Sequence, residues 1–136
     1  LAQLKKFNKI FQTHQKNKKK ISNAIKKIDY LELREKPKNS TDASEALVII
    51  FKNSKLAKFY SKKLKMNGIN TKILPEALTW HFAKYWSHMR ELKKRQKLTF
   101  NTSHNILKRC VSLPIMYKME KQIPIKIYKI LSSKMK

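Results

Sequence analysis

Ala46-Leu47-Val48-Ile49-Ile50-Phe51, followed by Lys52-Asn53-Ser54-Lys55-Leu56-Ala57-Lys58-Phe59-Tyr60-Ser61-Lys62-Lys63-Leu64-Lys65-Met66-Asn67-Gly68-Ile69-Asn70-Thr71-Lys72-Ile73, carries the punctuation of a small α+β unit. The apolar run 46–51 predicts a buried strand, because β-branched and aromatic residues fit a pleated surface. Asn53 or Ser54 can cap the next helix, since a short polar side chain accepts a bond from an otherwise unpaired N–H of the first turn. Leu56, Phe59, Tyr60 and Leu64 then recur at helical spacing and share one face. Gly68, the chain's one glycine, suits the left-handed turn that ends a helix. Ile69 to Ile73 predicts a second core strand.

Working outward, Leu4, Phe7, Phe11, Ile21, Ile25 and Ile28 predict a long helix over residues 1–28. Lys16, Lys18, Lys19 and Lys20 interrupt its apolar stripe and predict a bend or an exposed stretch there. The chain opens on Leu1, already in helical pattern and without a cap, which suggests a cut through a longer protein. Tyr30-Leu31-Glu32-Leu33 reads as a short strand, and Pro37 to Asp42 as a loop. Glu76 to Lys97 has helical propensity behind Pro75. Ser103 to Arg109 predicts a short helix, Val111 to Ile115 an extended segment, and 121–133 a last helix with Pro124 in its first turn. The fold class is α+β: a short sheet covered by helices, with a long N-terminal helix leading in.

At 136 residues the chain is one domain at most. No apolar run approaches the ~20 residues that cross a bilayer, so no membrane partner is expected. The N-terminus lacks the apolar core and cleavage site of a signal peptide. The lone Cys110 cannot form an internal disulfide, which fits a cytoplasmic protein. The net charge is +25. It suits a polyanion partner, but it also suits an AT-rich coding sequence, because lysine, isoleucine and asparagine abound together. Only four of the 33 basic residues are arginine, whose planar fork grips phosphates and bases. Nucleic acid is therefore not the expected partner.

Within ten residues, Trp80, His81, Phe82, Tyr85, Trp86 and His88 gather aromatic and imidazole groups. Packing against the sheet would explain them. So would a ligand wall, whose ring edges hydrogen-bond a polar molecule. On a continuous helix His81 and His88 would stand two turns apart, roughly 10 Å, too far to share a metal. No carboxylate pair suggests glycosidase chemistry, and one glycine cannot build a phosphate loop. Cys110 reads as a small core residue, with no catalytic signature around it and His104. No lysine is marked as an activated nucleophile. The residues alone thus define a candidate wall and a basic surface, with no catalytic set.

Four segments, in order, resemble the DegT-type (DegT/DnrJ/StrS) sugar aminotransferases, which depend on pyridoxal phosphate. They are Leu1-Ala2-Gln3-Leu4-Lys5-Lys6-Phe7, the stretch Leu56 to Thr71, the stretch Trp80 to Met89, and Arg109-Cys110-Val111-Ser112-Leu113-Pro114-Ile115. The resemblance implies the small C-terminal domain of a type I aminotransferase fold. It implies that residues 1–28 are a helix leading in from a large cofactor domain that precedes Leu1, and that 29–136 are the small domain. The family's Schiff-base lysine and its aspartate partner would also precede Leu1. No catalytic residue maps here, and the chain alone is expected to be inactive. Substrate contacts are expected from Lys72, Trp80, His81, Trp86 and His88. The full enzyme would move an amino group from an amino acid, commonly glutamate, to a keto-sugar or sugar nucleotide in amino-sugar or cell-surface polysaccharide synthesis, as a cytoplasmic homodimer. The other readings are a free-standing basic module binding nucleic acid, and a remnant with neither activity.

Overall fold

The computed structural model describes residues 2–72, 82–86, 88–94 and 100–135. Its centre is β2, Ala46–Phe51, at the boundaries expected from the sequence. Leu47, Ile49 and Phe51 are buried, and the residues between them are half-buried, so alternation gives the strand one fully covered face. The edge strand β1, Leu31–Leu33, pairs antiparallel with one side of β2. On the other side β3, Cys110–Pro114, pairs antiparallel with Ala46 opposite Pro114 and Ile50 opposite Cys110.

Helix α2, Ser54–Met66, follows β2 at once. Of the two candidate caps it is Asn53 that acts, its side-chain oxygen accepting from the Leu56 N–H at 2.9 Å. The helix closes on a Schellman motif: Ile69 N–H donates to the Leu64 carbonyl and Gly68 N–H to the Lys65 carbonyl, both at 2.9 Å. Gly68 takes φ 75°, a region that a side chain disfavours. The expected strand Ile69–Ile73 is not continued through its described part. Lys72 makes a single antiparallel bridge to Ser112, while Ile69 turns back onto the core beside Leu64. Ile73 lies outside the described residues.

Helix α1, Ala2–Ile25, runs through the lysine cluster as one element. Of the two expectations, a bend or an exposed stretch, the exposed stretch is seen, and Asn17 occupies the buried position within it. Its Nδ2 donates to the Met116 carbonyl at 2.9 Å and the Tyr117 carbonyl at 3.3 Å. Lys18 pairs with Asp42, and Lys16, Lys19 and Lys20 are exposed. The last helix here numbered α5, Ile123–Ser132, packs against both α1 and α2. Pro124 fits its first turn, where its missing N–H leaves nothing unpaired.

One core joins these elements, with Ile21, Ile25, Leu47, Phe51, Leu64, Val111, Ile127 and Leu131 among its buried members. Full burial of such a side chain is worth about 1.5–3 kcal/mol before entropy is counted. At one end of it the Tyr60 ring stacks on Tyr30 and on Phe51, with centroids 5.5 and 5.6 Å apart. Tyr30 donates its hydroxyl to Tyr60 at 2.9 Å, and Tyr60 donates to the Ser133 carbonyl at 2.7 Å. Burial, then the bond to Tyr60, pushes the Tyr30 phenol well above the usual tyrosine range.

Between Lys72 and β3 the expected long helix over Glu76–Lys97 is broken in its described part. Phe82 is extended, Ala83–Tyr85 forms one 3-10 turn, and only Arg90–Lys94 (α3) is α-helical. Helix α4 follows at Asn101–Leu107. Aromatic residues and histidine are mediocre helix formers, and here ring packing decides the backbone: Phe82 is buried against Phe100 and His104.

Candidate functional site

The residues proposed for a ligand wall fall on two supports. Lys72 is exposed and is held by its backbone, its N–H donating to the Ser112 carbonyl at 2.7 Å. β3 therefore fixes where this ammonium leaves the sheet. Trp86 and His88 stand on the segment 82–89, beyond the 3-10 turn. Trp86 is half-buried and His88 exposed. Trp80 and His81 lie outside the described residues. His88 stands beyond a 3-10 turn and not on a continuous α-helix.

Next to Trp86 in sequence, Phe82 and Tyr85 join Phe100 and His104 in a cluster that periodicity did not reveal. The Phe82 ring lies 6.2 Å from Tyr85, 6.0 Å from Phe100 and 6.0 Å from His104. Tyr85 and His104 are 6.1 Å apart by ring centroids, and the Tyr85 hydroxyl reaches His104 Nδ1 at 3.4 Å. Which of the two donates depends on the imidazole tautomer. Tyr85 is 40% exposed, so a hydroxyl and an imidazole face solvent over an apolar floor. His104 drew attention in the sequence only as a neighbour of Cys110. Its helix, α4, has no buried residue and hence no strong apolar stripe to orient it.

The remaining reactive groups are committed. The Cys110 thiol is buried and donates to the Ile106 carbonyl at 3.2 Å, and burial raises its pKa above the usual thiol value. It is therefore a poor thiolate and a packing residue. Arg109 spends its guanidinium on the carbonyls of Phe51, Lys52 and Asn105 at 3.2–3.3 Å, which closes the end of β2. A small cavity of about 160 Å³ beside it is bordered by Asp29, Tyr30 and Glu32. Among the described residues no three His, Cys, Asp or Glu side chains gather as a metal set.

The fold is α+β, a three-stranded antiparallel sheet with a long N-terminal helix and further helices, and the comparisons with known proteins are specific. The model of the DegT/DnrJ/EryC1/StrS aminotransferase family matches residues 1–132, so the chain belongs to that family. In structure it is similar to the aminotransferase TlmJ from Streptoalloteichus hindustanus, with TM-score 0.73 and 11% identity over 96% of this chain and 33% of that one. It is also similar to E. coli GDP-4-keto-6-deoxy-D-mannose-3-dehydratase, solved with bound hydrated PLP, with TM-score 0.75 and 16% identity over 96% of this chain and 33% of that one. The chain thus spans about one third of the length of these structures.

The described residues do not fit the cofactor by themselves. Among the described residues no lysine is buried, so none of them offers a desolvated amine for a Schiff base. Gly68 ends a helix and does not open one, so it forms no phosphate-binding turn. No chemical step through the cofactor follows from this chain's described side chains. Among the described residues no helix is long and apolar enough to cross a membrane.

Proposed function

We propose that this chain is the C-terminal part of a pyridoxal-phosphate-dependent aminotransferase acting on a keto-sugar or sugar nucleotide, with an amino acid such as glutamate as donor. The family match over residues 1–132 carries the reading. Residues 1–28 would lead in from a cofactor-binding domain, which would supply the lysine, and residues 29–136 would form the small domain. The whole enzyme would be a cytoplasmic homodimer in amino-sugar synthesis.

In this reading Lys72, Trp80, His81, Trp86 and His88 contact substrate, joined by Tyr85 and His104. A lysine ammonium can pair with a substrate phosphate, and ring edges and a phenol hydroxyl can bond sugar hydroxyls. Such groups bind and orient; the cofactor, when bound to the whole enzyme, supplies the electron sink. The second structural relative is a dehydratase, so water loss from the sugar is the competing chemistry on this fold.

The test is to express the full coding region that contains this chain and incubate it with PLP, glutamate and a 4-keto sugar nucleotide. Expected are a borohydride-sensitive Schiff-base absorbance and an aminated sugar. A deoxygenated product without amine would favour dehydration. A protein that takes up no PLP would sink the reading. Trp86→Ala should raise KM for the sugar more than for glutamate.

A further inference from the structure

The basic load is unevenly placed. Helix α2 carries Lys55, Lys58, Lys62, Lys63 and Lys65, helix α5 carries Lys126 and Lys129, and neither contains an acid. Five of the eight acids fall between residues 29 and 45: Asp29, Glu32, Glu35, Asp42 and Glu45. Helix α1 is also rich in lysine and free of acids; what sets α2 and α5 apart is that their lysines meet across a trough.

Between α2 and α5 lies an open trough of about 480 Å³, lined by Lys63, Lys126 and Lys129 together with Asn67 and Gln122, and by no carboxylate among the described residues. The nearest acid in sequence, Glu120, accepts from the Gln122 amide. Lys63 is fixed at the trough by a 2.6 Å bond to Ser133 Oγ, with its ammonium 5.5 Å from the Phe59 ring centroid. Apolar groups stand among these cations. Ile125 in the trough is 59% exposed, Tyr128 one turn on is 44% exposed, and Met66 at the end of α2 is 77% exposed. The opposite face of α5, with Ile127 and Leu131, is locked in the core, so this outer face is rigid.

We propose that the α2–α5 face docks on an anionic bilayer surface. The lysines would meet headgroup phosphates as point charges, while Ile125, Tyr128 and Met66 enter the boundary between headgroups and acyl chains. The exposed aliphatic groups decide between polyanions. A nucleic-acid backbone has no use for an isoleucine or methionine among its phosphate contacts, and base readout calls for arginine, which neither helix has. The absence of a spanning segment does not bear on contact of this kind. The inference is independent of the proposed enzymatic reaction.

Vesicle sedimentation tests it, using phosphatidylcholine vesicles with and without phosphatidylglycerol at 0.1 M salt. Binding should require the anionic lipid. Lys63→Glu, Lys126→Glu and Lys129→Glu together should lower partitioning at least about tenfold, each cation near the surface contributing roughly fivefold. Lys5→Glu, Lys6→Glu and Lys9→Glu together, an equal change of net charge elsewhere, should lower it less than about threefold because salt screens distant charges. Ile125→Ser should also weaken vesicle binding. Circular dichroism of each variant guards against misfolding. Equal losses from the two triple variants, or no preference for anionic vesicles, would overturn the proposal. So would tighter binding to a single-stranded oligonucleotide at the same salt that Ile125→Ser leaves unchanged.

Discussion

The two halves of helix α1 carry the same apolar spacing and meet opposite environments. Ile21 and Ile25 are 2% and 0% exposed, locked among the sheet, α2 and α5. Leu4 and Phe7 are 71% and 57% exposed, and Phe7 stacks on Phe11 at 5.8 Å. Periodicity identifies which side of a helix is apolar; it does not say whether that side is covered. Between the halves sits a polar clamp in which Asn17 holds two loop carbonyls and Lys18 holds Asp42. It marks the point where the helix joins the body.

Truncating the buried half should produce the largest effect. Ile25→Ala should cost about 2–5 kcal/mol in denaturant unfolding, the range for emptying a packed core position. Phe7→Ala, at an equivalent stripe position, should change stability by no more than about 0.5 kcal/mol. A comparable loss at both positions would mean that the free half is covered in solution. Tyr60→Phe should cost about 1–3 kcal/mol, because the Tyr30 hydroxyl and the Ser133 carbonyl lose their shared partner. Gly68→Ala should cost roughly 1–2 kcal/mol through left-handed strain alone, since an added Cβ would meet nothing within 4 Å. A larger loss there would point to packing on the turn.

The smallest effect should come from acid. The hydrogen bond from Lys18, then the Ser44 N–H, holds the Asp42 carboxyl below its ordinary pKa. A depressed carboxylate stabilises the fold above its unfolded value of about 3.9, and that contribution disappears as pH falls through the folded value. Asp42→Asn should therefore flatten the stability profile below about pH 4 and leave neutral pH little changed, because the pair is partly exposed. An unchanged acid limb would show that the clamp rests on Asn17.

The fold was legible wherever local chemistry and tertiary contact agree. Ala46–Phe51, the Asn53 cap and the Gly68 stop each combine a propensity with a backbone need. The family resemblance, drawn from four short segments, is matched by the family model over residues 1–132. Legibility failed where tertiary contact overrides propensity. Ile69 reads as a strand residue but completes the helix stop by packing near Leu64. Phe82 reads as helical but is pulled extended into a ring cluster with Phe100 and His104. Of the expected substrate contacts, Lys72, Trp86 and His88 lie among the described residues, and their contact with substrate belongs to the proposal. The Tyr85–His104 pair was hidden because its partners are 19 residues apart on elements with no apolar period in common.

The stacked column of Tyr30, Tyr60 and Phe51 also gives the molecule two separate optical reporters. Parallel rings at these separations couple their transitions, so near-ultraviolet dichroism from the tyrosines should follow the integrity of the core. Both tryptophans, Trp80 and Trp86, belong to the segment after Lys72. Their fluorescence should follow that segment. Melting watched at the two wavelengths can therefore separate events at the candidate ligand wall from unfolding of the sheet and its helices, without a label.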